Sequence, residues 1–327
     1  MRILLVSNHH YPSSKKVGTG KGITAFPSGS SHHQHDLLAR GLAEKGHEVL
    51  YHVDYDQDVT ADEGVQLVNH LPDDVDIVHF SARNTPSIRR YYQSKGIPVV
   101  ATNHLYVKNE IPPIKWVHVS KMIANLYKAK YHNWCGLDPE DYHYQDKKED
   151  YFFFMADISR HKGKGLKTAL DLTSKLNKKL VVAGSSRNVD DILEVENLCD
   201  QYDALYVGDV RGQEKAKWFA GAKAFISPSN YVETFGITLV EALFSGTPVI
   251  CSDKGAYSEI IAPEVGFVCA NEEEYLAAFE NVENIQSEDC RSYAMRHFHY
   301  LKNTENYISI YQDLLASQEK RTQITIK

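Results

Sequence analysis

The chain has 327 residues, of which 43% are hydrophobic and 24% are charged, so it is long enough for two soluble globular domains. Its formal net charge of −7 argues against a general nucleic-acid-binding protein. No apolar run approaches the roughly 20 residues of a membrane-spanning helix, and the apolar part of the N-terminal MRILLVSNHH is too short for a signal peptide.

The cysteines indicate the redox environment of the protein. They are scattered along the chain, and none belongs to a C-x-x-C pair. Reduced thiols in apolar surroundings are typical of cytoplasmic proteins. The sequence therefore predicts a cytoplasmic location and reduced core thiols at Cys135, Cys199, Cys251, Cys269 and Cys290.

Short apolar runs alternate with helical patterns along the first part of the chain. Ile3–Val6 is a continuous apolar run bounded by polar residues. This pattern is typical of a strand that is buried on both faces of a parallel sheet. Residues 32–45 carry a helical pattern that Gly46 ends. This β-α-β rhythm predicts a doubly wound α/β sheet. Its further predicted strands are Val49–Val53, Asp76–Phe80, Pro98–Thr102 and Trp116–Val119.

Side chains at the carboxyl ends of these strands are candidates for ligand contact, because ligands bind at that edge of a doubly wound sheet. His79, Asn103 and His104 hold such positions. The alternative for each histidine is a structural role, and the side chain of His79 is expected to pack beneath the neighbouring loop.

Two motifs for phosphate or metal binding are weak. Gly18–Gly22 reads GTGKG, but neither its spacing nor the glycine after the lysine fits a P-loop. Asp54, Asp56 and Asp58 imitate a D-x-D metal motif, although we favour a solvated acidic strand end. The histidines near the N-terminus lack the cysteines or spaced acids that complete a zinc site.

A charge run marks the predicted boundary between two domains. Gln145–Asp150 reads QDKKED, which is typical of a solvated hinge. A new buried strand, Tyr151–Met155, follows at once. The predicted domains are therefore residues 1–147 and 148–292, with a closing segment in residues 293–327.

The second part of the chain repeats the alternation of strands and helices. The closing segment contains a predicted helix, Ser292–Leu315, and the tail Ser317–Lys327 is expected to be disordered. The further predicted strands are Leu180–Gly184, Ala204–Val207 and Ala224–Ile226.

The stretch from residue 228 to residue 250 carries the strongest candidate site. A polar loop leads into a helix predicted over Ile237–Phe244, with Thr234 as its N-cap. A helix N-terminus offers unpaired N–H groups and a partial positive charge. The amides placed to hold an anion such as a diphosphate are those of Phe235, Gly236 and Ile237.

Two carboxylates frame this helix start. Glu233 lies just before it, and Glu241 lies inside it on a stripe with Thr238 and Ser245. One interpretation is that both acids are solvated, because glutamate is rarely fully buried. The other is that both contact a polyhydroxylated ligand beside the diphosphate, since carboxylates accept strong hydrogen bonds from sugar hydroxyls.

The same stretch resembles the E-x7-E signature of the retaining glycosyltransferases of family 4. The matching pattern is PS-x3-E-x-FG-x4-EA-x3-G-x-PVI. The resemblance implies a GT-B fold, in which two Rossmann-like α/β domains face a central cleft. It also implies that Glu233 contacts the transferred sugar and that Glu241 binds the ribose of the nucleotide. The implied diphosphate ligands are the amides of Thr234, Phe235, Gly236, Ile237 and Thr238.

The resemblance implies transfer of a sugar from a nucleotide-diphosphate sugar to an acceptor bound mostly by the N-terminal domain. UDP is the expected nucleotide because it is frequent in the family, and the expected acceptor is a small molecule or a glycan. No metal, no further cofactor and no covalent carboxylate nucleophile are implied. The closing helix would cross back to the N-terminal domain. No nucleic acid and no integral membrane segment are expected.

Three positions outside this stretch match the family. Gly29 matches the first glycine of a pair that approaches the diphosphate, whereas Ser30 replaces the second. His104 resembles the family's strand-end histidine near the donor sugar, which makes it a catalytic candidate beside Glu233. Val210 follows a turn that resembles the one contacting the nucleotide base through main-chain atoms.

The segment that resembles the family's phosphate clamp departs from the pattern. Lys164 aligns with the lysine of a K-G pair, but Asp157 stands where the usual arginine is expected. Two phosphates favour one fork-shaped and one compact cation, so Arg160 is the candidate for the missing guanidinium. A basic, solvated loop is the alternative for both cations.

Two other functions stay open. A GT-B relative could epimerise or hydrolyse the nucleotide sugar without an acceptor. A degenerate transferase could bind the nucleotide sugar without catalysis, which Asp157 favours and the two intact acids oppose.

Overall fold

The computed structural model describes residues 1–7, 11, 13, 30–53, 61–81, 86–106 and 115–325. The chain divides into two compact units, Met1–Leu137 with Phe298–Lys327 and Asp138–His297. The divisions therefore fall after Leu137 and after His297, whereas the sequence predicted them after residues 147 and 292.

The first unit is built on a seven-stranded parallel sheet with the order β3-β2-β1-β4-β5-β6-β7. The five predicted strands are present within a residue or two of their predicted bounds. Two short strands escaped prediction, β3 and β7. The strands are β1 Arg2–Val6, β2 Glu48–His52, β3 Val65–Val68, β4 Ile77–Phe80, β5 Val99–Asn103, β6 Lys115–His118 and β7 Tyr131–His132.

Three helices connect these strands. Ser30 caps the first of them, because its hydroxyl accepts a hydrogen bond from the amide of His33 at 3.2 Å. This cap satisfies one of the unpaired amides at the helix start. The helices are α1 Ser31–Glu44, α2 Pro86–Ser94 and α3 Lys121–Leu126.

The second unit has a six-stranded parallel sheet with the order β10-β9-β8-β11-β12-β13. Its central strands are apolar and buried, as the continuous hydrophobic runs predict. The strands are β8 Phe152–Met155, β9 Leu180–Ala183, β10 Leu205–Tyr206, β11 Phe225–Ser227, β12 Val249–Ser252 and β13 Gly266–Cys269.

Helices pack around this second sheet and complete its core. The helix predicted at residues 237–244 has the predicted bounds. The helices are α4 His161–Lys164, α5 Leu166–Lys175, α6 Val189–Gln201, α7 Gly212–Gly221, α8 Ile237–Phe244, α9 Tyr257–Ile260, α10 Glu272–Asn281 and α11 Ser287–Phe298.

The closing segment returns to the first unit. One predicted helix is in fact two, because the chain breaks between α11 and α12, which spans Tyr300–Thr325. The helical backbone extends to Thr325, so the tail predicted to be disordered is helical over most of its length. Tyr307 and Tyr311 of α12 are buried in the core of the first unit.

The charge run predicted to be a hinge is instead anchored in the second unit. Lys148 donates hydrogen bonds to the carbonyl oxygens of Gln145 and Ala220, both at 2.8 Å, and to the hydroxyl of Thr247 at 3.0 Å. Burial lowers the pKa of the Lys148 amine to about 8. The run is therefore fixed to the second unit, because the partly buried amine of Lys148 donates hydrogen bonds to several oxygen atoms there.

The cysteines lie in the core, as the sequence predicts. All five cysteines are buried and none forms a disulfide. No helix in the described ranges is long and apolar enough to cross a membrane.

Candidate functional site

Helix α8 begins at Ile237 without the predicted side-chain cap. Its N-cap residue is Gly236, with φ +111°, and no side chain accepts a hydrogen bond there. Thr234 lies two residues too early to be the N-cap, so that prediction is wrong. A Cβ at Gly236 would lie 2.6 Å from the ring of Tyr257. Both the positive φ and the close ring therefore require glycine.

The start of α8 presents backbone N–H groups. The amide of Leu239 donates to the carbonyl of Gly236 at 3.0 Å, which begins the hydrogen-bond pattern of the helix. The preceding amides of Ile237 and Thr238 donate to no backbone carbonyl in the described chain. Together with the helix dipole, they form a positive end that favours an anion. Phe235 is buried beneath this turn.

Glu233 is held in place by its side chain and by its backbone. The residue is 8% exposed, and its carboxylate accepts hydrogen bonds from Lys164 Nζ at 2.8 and 3.0 Å. The hydroxyl of Ser229 donates to the same carboxylate at 2.5 Å. The interpretation of Glu233 as a solvated surface acid is therefore wrong, because three hydrogen bonds replace its hydration.

The backbone of Glu233 rests directly on Gly255. A Cβ at Gly255 would lie 2.2 Å from the carbonyl oxygen and 2.3 Å from the nitrogen of Glu233. The amide of Ala256 donates to the same carbonyl oxygen at 2.8 Å. Sequence reasoning missed this support. The available signal was a glycine in the turn after a buried strand, which often marks close backbone approach.

Glu241 is almost fully buried, with 2% exposure. Its Oε1 accepts hydrogen bonds from Lys215 Nζ at 2.7 Å and from the hydroxyl of Tyr142 at 3.0 Å. The Lys215 side chain is itself only 3% exposed. A solvated Glu241 is therefore excluded. Sequence reasoning missed both partners. A signal for one of them was available, because Lys215 lies on the same helix as buried Phe219. Lysine is almost never buried unless it is paired, so a buried Lys215 would have needed an acidic partner.

Of the two cations in the clamp segment, the structure brings Lys164 to Glu233. Gly165 follows it with φ +82°, and a Cβ there would lie 2.0 Å from the carbonyl oxygen of Pro228. This close approach brings the lysine next to the loop that carries Glu233. Lys164 therefore lies beside Glu233, and the phosphate contact implied by the K-G alignment stays a prediction.

Arg160 contacts the same loop at a different point. Its guanidinium lies over the ring of Tyr231, 4.7 Å from the centroid, and its side chain is exposed. Asp157 caps the short 3₁₀ turn before it, accepting hydrogen bonds from the Ser159 amide at 3.1 Å and hydroxyl at 2.7 Å. Asp157 therefore has a local structural role in the place of the expected arginine.

Val210 follows a turn beside the sheet of the second unit. Its side chain is 2% exposed, and the nearby carbonyl of Gly208 accepts a hydrogen bond from the Gly184 amide at 2.8 Å. The side chain of Val210 thus belongs to the core. Only its main-chain atoms are candidates for the base contact that the resemblance implies.

In the first unit, His104 lines a small pocket at the carboxyl ends of the strands. Burial, with a smaller effect from neighbouring His32, lowers the pKa of His104 to about 4. The imidazole is therefore neutral at neutral pH. The pocket is lined by Ser31, Gln34, His35, Leu38, Ser81, Thr102, His104, Val119, Asn133, Cys135, Asn303 and Tyr307.

Some predicted features lie outside the described residues. Gly29 is one, and the D-x-D aspartates Asp54, Asp56 and Asp58 are the others. Among the residues that are described, no group of three or more histidine, cysteine, aspartate or glutamate side chains could hold a metal ion.

His79 is the centre of a buried hydrogen-bond network that holds α12 to the sheet. Its Nδ1 lies 2.6 Å from the hydroxyl of Tyr311, and its Nε2 lies 2.8 Å from the hydroxyl of Thr102. Thr102 in turn bonds to the hydroxyl of Tyr307 at 2.6 Å. Desolvation lowers the pKa of His79 to about 3. This geometry favours the structural role for His79.

The buried His79 predicts a loss of stability in acid. Below the ordinary pKa of 6.5 the unfolded chain takes up a proton, whereas the folded chain does so only near pH 3. The free energy of unfolding should therefore fall as the pH drops through this window. In denaturant titrations His79→Gln should show a shallower fall than the wild type. His132→Gln, at an exposed position, should keep the wild-type slope, and equal slopes for all three proteins would contradict the prediction.

The second unit is similar to a known family. Residues 141–297 match the family model described as Glycosyl transferases group 1. The matched segment lies within the second unit and contains Lys164, Glu233 and Glu241.

Individual relatives match only part of this chain. An uncharacterized glycosyltransferase of Methanocaldococcus jannaschii is 40% identical over 93 residues, covering 27% of this chain and 23% of that protein. The alpha-monoglucosyldiacylglycerol synthase of Streptococcus pneumoniae is 36% identical over 88 residues, covering 27% and 20%. The chain thus matches less than a quarter of the length of either relative.

Solved structures match both units. AviGT4, a glycosyltransferase involved in avilamycin A biosynthesis, has a TM-score of 0.76 at 22% identity, covering 97% of this chain and 99% of that one. Anabaena HepE in complex with UDP has a TM-score of 0.70 at 12% identity, covering 96% and 100%. These similarities confirm the predicted fold of two parallel-sheet, Rossmann-like units, as in GT-B glycosyltransferases.

Proposed function

We propose that the protein is a retaining glycosyltransferase that moves a sugar from a nucleotide-diphosphate sugar to an acceptor. The observation that carries this proposal is the start of α8, where free amides lie between two buried carboxylates, Glu233 and Glu241. Amides at a helix start suit a diphosphate, and carboxylates suit hydroxyl groups. A nucleotide sugar has both chemical groups in one molecule.

The leaving diphosphate gains negative charge during transfer, and this site has groups that oppose such charge. The amides of Ile237 and Thr238 are fixed donors, so they need little reorganisation in the transition state. Lys164 donates two hydrogen bonds to the carboxylate of Glu233. An ammonium has three donors, which leaves one for a phosphate oxygen.

We assign Glu233 to sugar binding and electrostatic support. Both of its oxygens already accept hydrogen bonds from Lys164, and Ser229 donates a further one. Such engagement lowers the nucleophilicity of a carboxylate, so covalent attack on the sugar is disfavoured. Retention would then proceed without a covalent intermediate, with a leaving phosphate oxygen as the base for the acceptor proton.

UDP is the nucleotide that we propose first, and the acceptor is proposed to bind to the first unit. The similar proteins differ in their nucleotide. One is a GDP-mannose-dependent alpha-mannosyltransferase of Mycolicibacterium smegmatis, whereas one solved structure contains UDP. The pocket around His104 is lined mainly by polar side chains, which suit the hydroxyl groups of a small molecule or a glycan.

A thermal-shift screen against UDP-, GDP-, ADP- and dTDP-sugars tests the donor proposal. Binding to the folded chain should raise the Tm, by about 2.7 kcal/mol of stability at 100 times Kd. The donor that binds is then incubated with candidate acceptors, and NMR coupling constants report the anomeric configuration of the product. No shift with any of these donors would contradict the proposal, and an inverted product would contradict retention.

A donor-only reaction separates the alternatives. Release of free sugar or of an epimerised nucleotide sugar would favour a hydrolase or an epimerase. Binding without any product would favour a non-catalytic nucleotide-sugar-binding protein, the alternative that Asp157 supports.

A further inference from the structure

Two short helices cover one face of the first sheet. Tyr92 of α2 is buried on this face together with Phe80, and Trp116 of β6 packs against the same cluster. His118 lies two residues after Trp116 and therefore points to the same side of the sheet. Its ring stacks on Tyr127, the C-cap of α3, with centroids 4.8 Å apart. Helices α2 and α3 thus pack on the same face.

These two segments are basic and contain no acid. Residues 86–95 read PSIRRYYQSK and residues 121–130 read KMIANLYKAK, so each has three cations and neither has an aspartate or a glutamate. The chain as a whole has a net charge of −7. Positive charge is therefore concentrated on one face of an otherwise acidic protein, which suits an anionic partner.

Acids of neighbouring elements neutralise only part of this charge. The ion pairs are Lys95 with Asp73 at 2.7 Å and Lys130 with Asp313 at 2.5 Å. Arg89 has no such partner in the described ranges, and its buried Nε and Nη1 atoms have no hydrogen-bond acceptor there. Buried N–H groups are normally paired. Arg89 would therefore gain hydrogen bonds by moving outward to an anion such as a phosphate.

Two leucines beside these cations are exposed to solvent. Leu105 is 64% exposed and Leu126 is 52% exposed. They precede Tyr106 and Tyr127, whose rings contact each other with centroids 5.8 Å apart. Apolar tips next to tyrosines and lysines match the interface of a bilayer, because leucine enters the acyl boundary while the polar ends stay among the headgroups.

The turn after α3 keeps a lysine at a strained position. Lys128 has φ +51°, in the left-handed region that favours glycine after a helix. Asn177 and Asp203 also have positive φ, but these residue types adopt the conformation more readily than lysine does. Sequences often break a local rule of this kind where function requires the side chain. At this position the retained side chain is a cation two residues from Leu126.

We propose that the α2–α3 surface, formed by residues 86–95, 105–106 and 121–130, docks the protein on a membrane surface that contains anionic phospholipids. The cations bind the headgroups, and Leu105 and Leu126 insert below them. Charge complementarity selects an anionic partner, and the exposed leucines favour a bilayer over a soluble polyanion. The inference does not depend on the proposed function, because no residue of the site at the start of α8 takes part in it.

Sedimentation of the full chain with vesicles tests the docking. One vesicle type contains equimolar phosphatidylglycerol and phosphatidylcholine, and the other contains phosphatidylcholine alone. We expect at least ~10-fold stronger partition to the anionic vesicles at low salt, since each cation near such a surface contributes about five-fold. The net charge of −7 opposes this binding, so a local basic surface has to supply it. Equal partition to both vesicles, or none to the anionic ones, would overturn the inference.

Two variants test which residues make the contact. Leu126→Ser removes an exposed apolar tip, and Lys128→Gly removes a cation while relieving the left-handed strain. Each should weaken partition to the anionic vesicles by roughly 3- to 10-fold. Lys128→Gly should keep a Tm at or above the wild-type value, because glycine favours this turn. Its loss of binding therefore cannot come from unfolding.

The matched controls lie in the second unit. Leu193→Ser removes a leucine that is 49% exposed on α6, and Lys178→Gly removes an exposed cation. Both should retain the wild-type partition. Wild-type partition in Leu126→Ser or in Lys128→Gly, or an equal loss in the controls, would overturn the inference. Displacement from the vesicles by soluble polyphosphate, with Leu126→Ser unchanged, would identify a soluble polyanion as the partner instead.

Discussion

Glu233→Gln is expected to lower kcat by about 100-fold or more while nucleotide affinity stays within a few-fold of the wild type. The substitution keeps the size of the side chain but removes the charge that strengthens hydrogen bonds to the sugar. It also releases Lys164, which donates to both Glu233 oxygens. Steady-state kinetics with the donor found in the screen, together with calorimetry for the nucleotide alone, measure the two effects.

The control for this experiment is Glu264→Gln, because Glu264 is exposed in the same unit. It loses the same charge without touching the site and should retain wild-type kcat. Turnover near the wild-type value in Glu233→Gln would reject the role of Glu233. A loss confined to nucleotide affinity would instead move Glu233 from sugar binding to nucleotide binding.

Gly255→Ala is expected to disable transfer through the backbone of Glu233. The new Cβ would lie 2.2 Å from the Glu233 carbonyl oxygen, and backbone atoms cannot rotate away as a flexible side chain can. The loop must therefore shift, carrying its carboxylate away from Lys164 and the start of α8. A displacement of about 1 Å in a catalytic group can cost on the order of 100-fold in rate, and kcat measures it.

Gly46→Ala separates displacement from backbone strain. Gly46 has φ +78° and Gly255 has φ +74°, but a Cβ at Gly46 meets nothing within 4 Å. Both variants should lose roughly 1–2 kcal/mol of stability, because a left-handed conformation is costly for alanine. Only Gly255→Ala should also lose turnover. Equal turnover in the two variants would show that Glu233 does not depend on the contact with Gly255.

Burying a carboxylate costs free energy, and this cost explains why each of the two acids is paired with a lysine. A lone buried carboxylate is strongly unfavourable, and removing one partner of a buried ion pair typically costs 3–5 kcal/mol. Lys215 therefore offsets part of the cost of burying the Glu241 carboxylate. The more exposed Lys164, with 21% of its side chain accessible, leaves Glu233 closer to solvent and to a ligand.

The sequence alone predicted the elements whose signals are local. Continuous apolar runs located β1, β8 and β9, since a strand buried on both faces needs apolar residues at every position. The helix α8 was predicted over its observed range, but with the wrong N-cap, because Thr234 was expected to cap it and Gly236 does so. The paired acids and the helix-start amides were proposed from their chemistry and Lys164 from its resemblance to the family's clamp, and their roles stay predictions. The short strands β3 and β7 were missed because two to four residues carry too little pattern.

Only the tertiary structure decided how those residues are held. Lys215 and Tyr142 lie far from Glu241 along the chain, so no local pattern connects them to it. The contact between Gly255 and Glu233 is likewise a close approach of two loops. The sequence shows the glycine but not the segment that it contacts. The cap of α8 also depends on a distant segment: Gly236 has a positive φ, and the ring of Tyr257 leaves no room for a Cβ there. Spacing therefore determined which groups could do chemistry, whereas packing of distant segments determined their charge partners and orientation.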